Sequence, residues 1–502
     1  MTDLISRLPH IIVVILVLSL SSCNPASQNS SKETVNQQAT SEEELTDSFL
    51  KQIEKSNNFI ADLDEILERD TLKAITTYSA TSYFLYRGQP MGYEYELAKK
   101  LANDLGVELE MIIAEDINDI FNMLLDGKGD LITYNLTVTK NRRQYVDFSL
   151  PLNFTHQVLV QRKPDNWRDM KLHEIEEELV RNPIKLLGLP ISIRQNSSYR
   201  DRLLNLENEL GGDIDVQFVE GNLSTDEIIK KVSRGEIDYT ISDYNIANIN
   251  SSYYQNIDIE TTVGVMQQLA WAVRKTSPNL KVKVDEWIKQ QRDETDFYVI
   301  YNKYFKNQRA FTTRVKSDLY SKEGNRISEY DEVIQANAEN INWDWRFLAA
   351  QIFQESRFDP KEKSWVGAVG LMQVMPETAK SYGYSNLYNP DNNLKAGIAH
   401  LSYLNNYWKK HVSDSIERVK FILASYNAGH NHVQDARRLA EKLGYDSNIW
   451  YSNVEACMLL KSQKKYFNDP VVNYGYCRGE EPVNYVKEIL KRYQYYMEFI
   501  EV

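Results

Sequence analysis

Several things are scarce in this chain of 502 residues. It has three cysteines, too few for a disulfide-stapled scaffold. Its 20 glycines and 13 prolines exclude a fibrous or low-complexity chain. Basic residues run short: 58 Lys and Arg against 71 Asp and Glu leave a net charge of −13. A nucleic-acid partner would require basic patches, so none is expected. Walker-type loops, glycine-rich dinucleotide loops and zinc-spaced Cys/His sets are missing, so neither a cofactor nor a metal is expected. His430 and His432 stand two apart without a third ligand at metal spacing, and read as loop histidines. The apolar run Ile11 to Leu20 has ten residues, half of the roughly 20 that span a bilayer.

What is present addresses the chain first. At 42% hydrophobic and 26% charged residues it can build cores, and its length calls for two or three domains. Arg7 precedes the apolar run, which ends in Leu20-Ser21-Ser22-Cys23 and has the length of a secretion-signal core. Small residues before a cysteine resemble the lipobox of bacterial lipoproteins, which implies lipidation of Cys23 and anchoring to a membrane. Each buried CH₂ of such an anchor contributes about 0.8 kcal/mol. Asn24 follows in place of Asp, and the expected location is the periplasmic side of the outer membrane. An oxidising compartment permits a Cys457–Cys477 disulfide, and two separate thiols stay equally open.

After the signal (residues 1–23), residues 24–70 read as a tether. Ser, Asn and Gln dominate up to residue 41. Leu45, Phe49, Ile53, Ile60, Leu63 and Leu67 then predict an amphipathic helix, interrupted near Asn57-Asn58. From residue 71 to 310, β-rich runs alternate with helical stretches. Leu72–Tyr78, Leu109–Ile113 and Asp130–Tyr134 predict strands, and Tyr93–Leu105 and Ile117–Leu125 predict helices. That alternation implies βαβ units. Beyond about Gly324 strands vanish and aromatic-rich helices take over. Ala310 to Glu323 is charged and aperiodic, and holds the junction.

In the first domain, "GYEYELAKKLANDLGVELE", "LLDGKGDLITYNLTVTKNRRQYVDFSLPL" and "RGEIDYTISDYNIAN" resemble the bacterial family 3 extracellular solute-binding proteins. The resemblance implies a two-lobed α/β receptor that closes around amino acids and related solutes. A zwitterion needs a forked cation and an anion, and arginine recognises carboxylate in a bidentate way. The family's Arg after the T-V-T stretch falls on Arg142, and its ammonium-binding acid on Asp243. Asn135, Thr137 and Ser198 fall at positions supplying polar contacts; Arg194 and Asn196 depart from the pattern.

In the second domain, "WDWRFLAAQIFQESRFDP" places Trp345, Leu348, Ala349, Ile352 and Phe353 on one helical face. Glu355, three residues beyond Ile352, projects from that apolar side. A carboxyl there loses hydration, its pKa rises, and it becomes a general acid suited to neutral pH. The ordered set E-S-R-F, G-A-x-G-L-M-Q-x-M-P, A-x-Y-N-A-G and Y-V-x-x-I resembles the catalytic domain of soluble lytic transglycosylases. That implies an α-helical lysozyme-like fold and cleavage of peptidoglycan glycan strands by a single glutamate, Glu355. Ser364, Met372, Gln373, Tyr426, Asn427 and Tyr485 match the family's saccharide-site positions. Glu481, with Glu480 beside it, reads as a solvated loop acid and a secondary site candidate.

The expectation is therefore a multidomain chain: a two-lobed periplasmic-binding-protein-like domain over residues 71–310, then a lysozyme-like domain over 324–502. Its partners are glycan strands, a small amino-acid or muropeptide ligand, and a membrane. Hydrolytic cleavage, or a solute receptor with a non-catalytic wall-binding domain, remain the alternatives.

Overall fold

The computed structural model describes residues 59–195, 197–219, 223–320 and 325–501. The signal, Cys23, the polar tether, most of the predicted amphipathic helix, and Asn196 lie outside the described residues. Of that helix, Leu63–Glu68 is described, opened by an Asp62–Glu65 capping box. Its buried residue is Ile66, while Ile60 is 76% exposed, so the periodic Ile60–Leu63–Leu67 face is not the packed one. The cap at Asp62 starts the helix too late for Ile60 to join it.

Two sheets follow. In the first, strands Glu108–Ile113, Thr71–Thr76, Leu131–Thr137, Gln267–Arg274 and Val146–Phe148 lie side by side in that order. The first three run parallel, and Gln267–Arg274 returns antiparallel. Parallel strands are covered on both faces, which is why Leu72, Ala74, Ile75, Leu131 and Ile132 are all buried. The second sheet orders Asp215–Val219, Pro190–Arg194, Tyr239–Asp243, Gln157–Arg162 and Ile257–Asp258. The chain passes between the sheets twice, so two lobes face each other across a cleft.

Several elements differ in extent from their predicted form. The strand expected to end at Tyr134 continues to Thr137 and carries Asn135 and Thr137 to the cleft. Ile117–Leu125 divides into a 3-10 turn, Ile117–Asp119, and a helix, Ile120–Leu125. The aperiodic junction contains a helix, Gln308–Val315, capped by the Asn307 side chain. Phe311, its main apolar anchor, is 1% exposed, and one anchor gives no period to read.

The C-terminal part is helical, and five helices position the candidate site: α1 (Trp345–Ser356), α2 (Pro390–Trp408), α3 (Ser415–Ala428), α4 (His430–Leu443) and α5 (Glu480–Phe499). Leu348, Ile352, Leu371, Leu394, Phe421, Trp450, Val486 and Ile489 share one core, with α5 crossing α1 and α3. Lys461 and Asp435 form a fully buried pair at 2.9 Å, and the Asp435 carboxylate also accepts the Asn473 and Tyr474 amides and so pins that loop. Cys457 and Cys477 are buried free thiols.

The two parts share an interface. A hairpin of the first lobe, Phe84–Tyr86 with Gln89–Met91, reaches the helical core, where Leu85 is counted among its buried residues. At its turn the Gly88 carbonyl accepts the Tyr496 hydroxyl at 2.9 Å. Lys487 and Lys491 of α5 each reach Glu108 at 2.6 Å. Phe499 packs on Tyr78 and Tyr83.

Candidate active site and ligand cleft

Glu355 sits in the last turn of α1. Asp344 caps the start of this helix by accepting the Arg346 amide, and Arg357, at φ 52°, ends it in the left-handed region. Phe347, Leu348, Ile352 and Phe353 bury the apolar face, and Glu355 beside it is half-buried. The Tyr485 hydroxyl of α5 donates to Glu355 Oε1 at 2.5 Å and itself accepts Gln351 Nε2 at 3.2 Å. Burial lifts the Glu355 carboxyl to about 8, against a smaller opposing pull from Tyr485. Among the described residues, no second carboxylate contributes to that shift. The arrangement holds a proton at neutral pH and presents it from an apolar wall, as general acid work requires.

Tyr426 of α3 faces the same carboxyl: burial and the Glu355 charge both raise its phenol pKa. Its hydroxyl donates to the Met372 carbonyl at 2.9 Å. Met372 thus meets the site through its backbone, since its side chain is fully buried in the core. Ser356 Oγ ties the same loop to α1 by donating to the Leu371 carbonyl at 2.8 Å. Ser364 Oγ accepts the Ala368 amide at 2.9 Å and closes a turn whose tip is Trp365, 97% exposed. Gln373 commits its amide to the Glu362 and Gly370 carbonyls. Asn427 is exposed at the end of α3. Glu481 is exposed at the start of α5, paired with Arg478 at 3.0 Å.

The structure therefore brings Glu355, Tyr485, Tyr426 and the Met372 carbonyl together, with Ser364 and Gln373 in the adjoining loop. Two further residues belong with them. Gln351 lies one helical turn before Glu355, a spacing that puts both on one face. Asn393 of α2 holds the loop by accepting the Met372 amide at 2.8 Å and donating to the Val369 carbonyl at 2.7 Å. Nothing in its local pattern distinguishes it from a surface Asn.

All five candidate residues of the first domain line one cavity of about 470 Å³ between the lobes. Arg142 donates to the Thr137 carbonyl at 2.9 Å and its guanidinium stacks over Phe121. Ser198 donates to Thr137 Oγ1 at 3.2 Å. Asp243 Oδ2 accepts the Tyr199 hydroxyl at 3.3 Å. Burial raises its carboxyl to about 7 against Tyr199, Arg142 and Arg194, which favour the ion. Asp243 Oδ1 and Asn135 Nδ2 are buried without a partner among the described residues.

Comparison with known proteins matches residues 72–307 to the bacterial extracellular solute-binding proteins, family 3, and residues 332–449 to the transglycosylase SLT domain. Membrane-bound lytic murein transglycosylase F of Desulfosudis oleivorans is 35% identical over 434 residues, 86% of this chain and 90% of that protein. Membrane-bound lytic murein transglycosylase F 1 of Alkalilimnicola ehrlichii is 31% identical over 437 residues, 86% of this chain and 84% of that protein. Among solved structures, an ancestral amino acid-binding protein, a precursor of cyclohexadienyl dehydratase, is 24% identical at a TM-score of 0.40, covering 49% of this chain and 99% of its own.

Proposed function

The chain belongs to the membrane-bound lytic murein transglycosylase F family and is a lytic transglycosylase; from that premise we propose that Glu355 alone performs both proton transfers of the reaction. In the first, Glu355 protonates the oxygen of the bond between N-acetylmuramic acid and N-acetylglucosamine. In the second, the resulting carboxylate takes the proton from the muramoyl C6 hydroxyl as that oxygen attacks C1. The product is a 1,6-anhydro end, and no water is consumed. Ordinary glycoside hydrolysis uses two carboxylates flanking the bond. An internal nucleophile needs only one, because the sugar ring already holds the attacking hydroxyl in place.

The observation that carries this reading is the half-buried Glu355 carboxyl, held by the Tyr485 hydroxyl at 2.5 Å and raised by desolvation to about 8, free of a second acid's influence among the described residues. Ser364, Gln373, Tyr426, Asn427 and Glu481 join it as sugar-contacting positions in this proposal, and Met372 through its carbonyl. Digestion of purified sacculi, read by mass spectrometry, tests it. The native chain is expected to leave anhydro ends and Glu355→Gln none. Reducing ends from the native chain would mean hydrolysis instead, and cleavage by the Gln variant would end the single-acid account.

The proposed receptor-like domain, residues 71–310, binds a small amino-acid-like or muropeptide ligand, with Arg142 on its carboxylate and Asp243 on its ammonium. Asn135, Thr137 and Ser198 complete the contacts. A ligand that binds only the folded state stabilises it by RT ln(1 + [L]/Kd). Arg142→Ala is expected to abolish ligand-dependent rises in melting temperature; equal rises in both proteins would exclude Arg142 as the anchor. The catalytic domain spans residues 324–502. Residues 1–23 serve as the signal and 24–70 as the tether and amphipathic helix, with Cys23 lipidated on the periplasmic side of the outer membrane. The relatives' names include "membrane-bound". Among the described residues no helix is long and apolar enough to cross a membrane. The mass of the N-terminal peptide of the mature protein tests the anchor.

A further inference from the structure

The cleft contains one charge more than a simple amino acid can use. Arg194 ends the strand Pro190–Arg194, beside the parallel strand Tyr239–Asp243 that ends on Asp243. Both residues line the interlobe cavity, and both are more than nine-tenths buried, at 8% and 4% exposed. Among the described residues, Arg194 Nε and Nη1 are buried with no hydrogen-bond partner. A guanidinium withdrawn from water without partners is unfavourable, and a fold keeps one where something else completes it.

The charges can be matched in turn. A zwitterionic amino acid brings one carboxylate and one ammonium. Arg142 suits the first and Asp243 the second, which leaves Arg194 over. Asp243 attracts it electrostatically, but no ion pair or hydrogen bond joins them among the described residues. Asp201, the other acid on the cleft wall, feels Arg142 and Arg200 instead. The cavity, about 470 Å³, is within the size range of sites that enclose drug-sized ligands. Tyr134, Tyr199 and Ile246 supply apolar wall around the charged groups.

We propose that the ligand of this cleft is an amino acid or short peptide with a second carboxylate, and that Arg194 binds that second group. The proposal rests on the receptor reading above and narrows its ligand. It makes Arg194 the residue that selects for charge, while Arg142 anchors every ligand alike.

Calorimetry on the full-length chain in detergent tests it with probe pairs differing by one charge: L-glutamate against L-glutamine, and Ala-Glu against Ala-Gln. The acidic member of at least one pair is expected to bind about tenfold more tightly or better, the effect of a charge-assisted contact. Arg194→Gln should erase that preference while leaving affinity for the amide probe within about twofold, since only the second-carboxylate contact is lost. Arg194→Met, which keeps length without charge, should do the same, and a thermal melt confirms that both variants fold. Equal binding of acid and amide by the native chain overturns the inference, as does a preference that survives both substitutions. In either case loss of all binding in Arg142→Ala would leave the receptor reading standing. Binding of no probe, or an Arg142→Ala variant that binds like the native chain, removes that reading and the inference together.

Discussion

The proton on Glu355 is held by its surroundings, and two measurements follow from how it is held. Burial raises the carboxyl to about 8, so the acid form persists through neutrality and is lost only above that pH. We expect kcat/KM to be level below about pH 8 and to fall roughly tenfold per unit above it. Tyr485 donates to the carboxyl and favours its ionised form. Tyr485→Phe is therefore expected to move this alkaline limb upward and to lower kcat by on the order of tenfold or more. An unmoved limb would mean that another group titrates. Stability should carry the opposite signature. The unfolded chain releases this proton near pH 4.3, whereas the folded chain keeps it to about 8, so folding weakens as pH rises between those values. Gln at position 355 cannot titrate. Glu355→Gln should then gain a few degrees in melting temperature at pH 8 relative to the native chain, and little at pH 4.

At the scale of elements, the loop that follows α1 is fixed by residues that touch no sugar. Gly397 on α2 leaves room for Met372: a Cβ there would lie 2.3 Å from Met372 Sδ and 3.0 Å from its Cβ. Alanine in a helix gains about 1 kcal/mol over glycine, but overpacking a core costs about 1–3 kcal/mol. Gly397→Ala is expected to be destabilising on balance, by up to about 2 kcal/mol in chemical denaturation. It should also lower activity, because the displaced Met372 carbonyl is what Tyr426 binds. This part of the site explains where sequence reading succeeds. The 3.6-residue period of α1 predicts the apolar face that Leu348, Ile352 and Phe353 bury, and the helix Tyr93–Leu105 appears with its predicted ends. Tyr485 stands 130 residues from Glu355, and only the ordered motifs joined them. Gln351, Asn393 and Gly397 are not legible in the sequence, because their roles depend on tertiary neighbours that no local pattern encodes. Nor is the helix Gln308–Val315, since one buried Phe offers no periodicity.

At the scale of the whole molecule, the first lobe and the helical part are joined through α5. Lys487 and Lys491 hold the Glu108 carboxyl down at about 2, well below its ordinary value. Protonation removes both contacts, so this attachment is complete above about pH 4.3 and weakens as pH falls toward 2. Lowering pH should open the interface in hydrogen exchange before it unfolds either core, and Glu108→Gln should show the same opening at neutral pH. The hairpin supplies the apolar half of the joint. Its Gly88 adopts φ +71°, and a Cβ there would lie 2.8 Å from both Phe358 Cε2 and the Tyr496 hydroxyl. Gly88→Ala is expected to destabilise by about 1–3 kcal/mol, the combined effect of strain and crowding.

That hairpin turn rests on Phe353 and Phe358, the aromatic residues on either side of Glu355 in the chain. The catalytic half is thus unfinished without the lobe that precedes it. Made alone, it would carry an open apolar socket in the place of Leu85 and Gly88. Such a fragment should self-associate in sedimentation under conditions where the full-length chain does not.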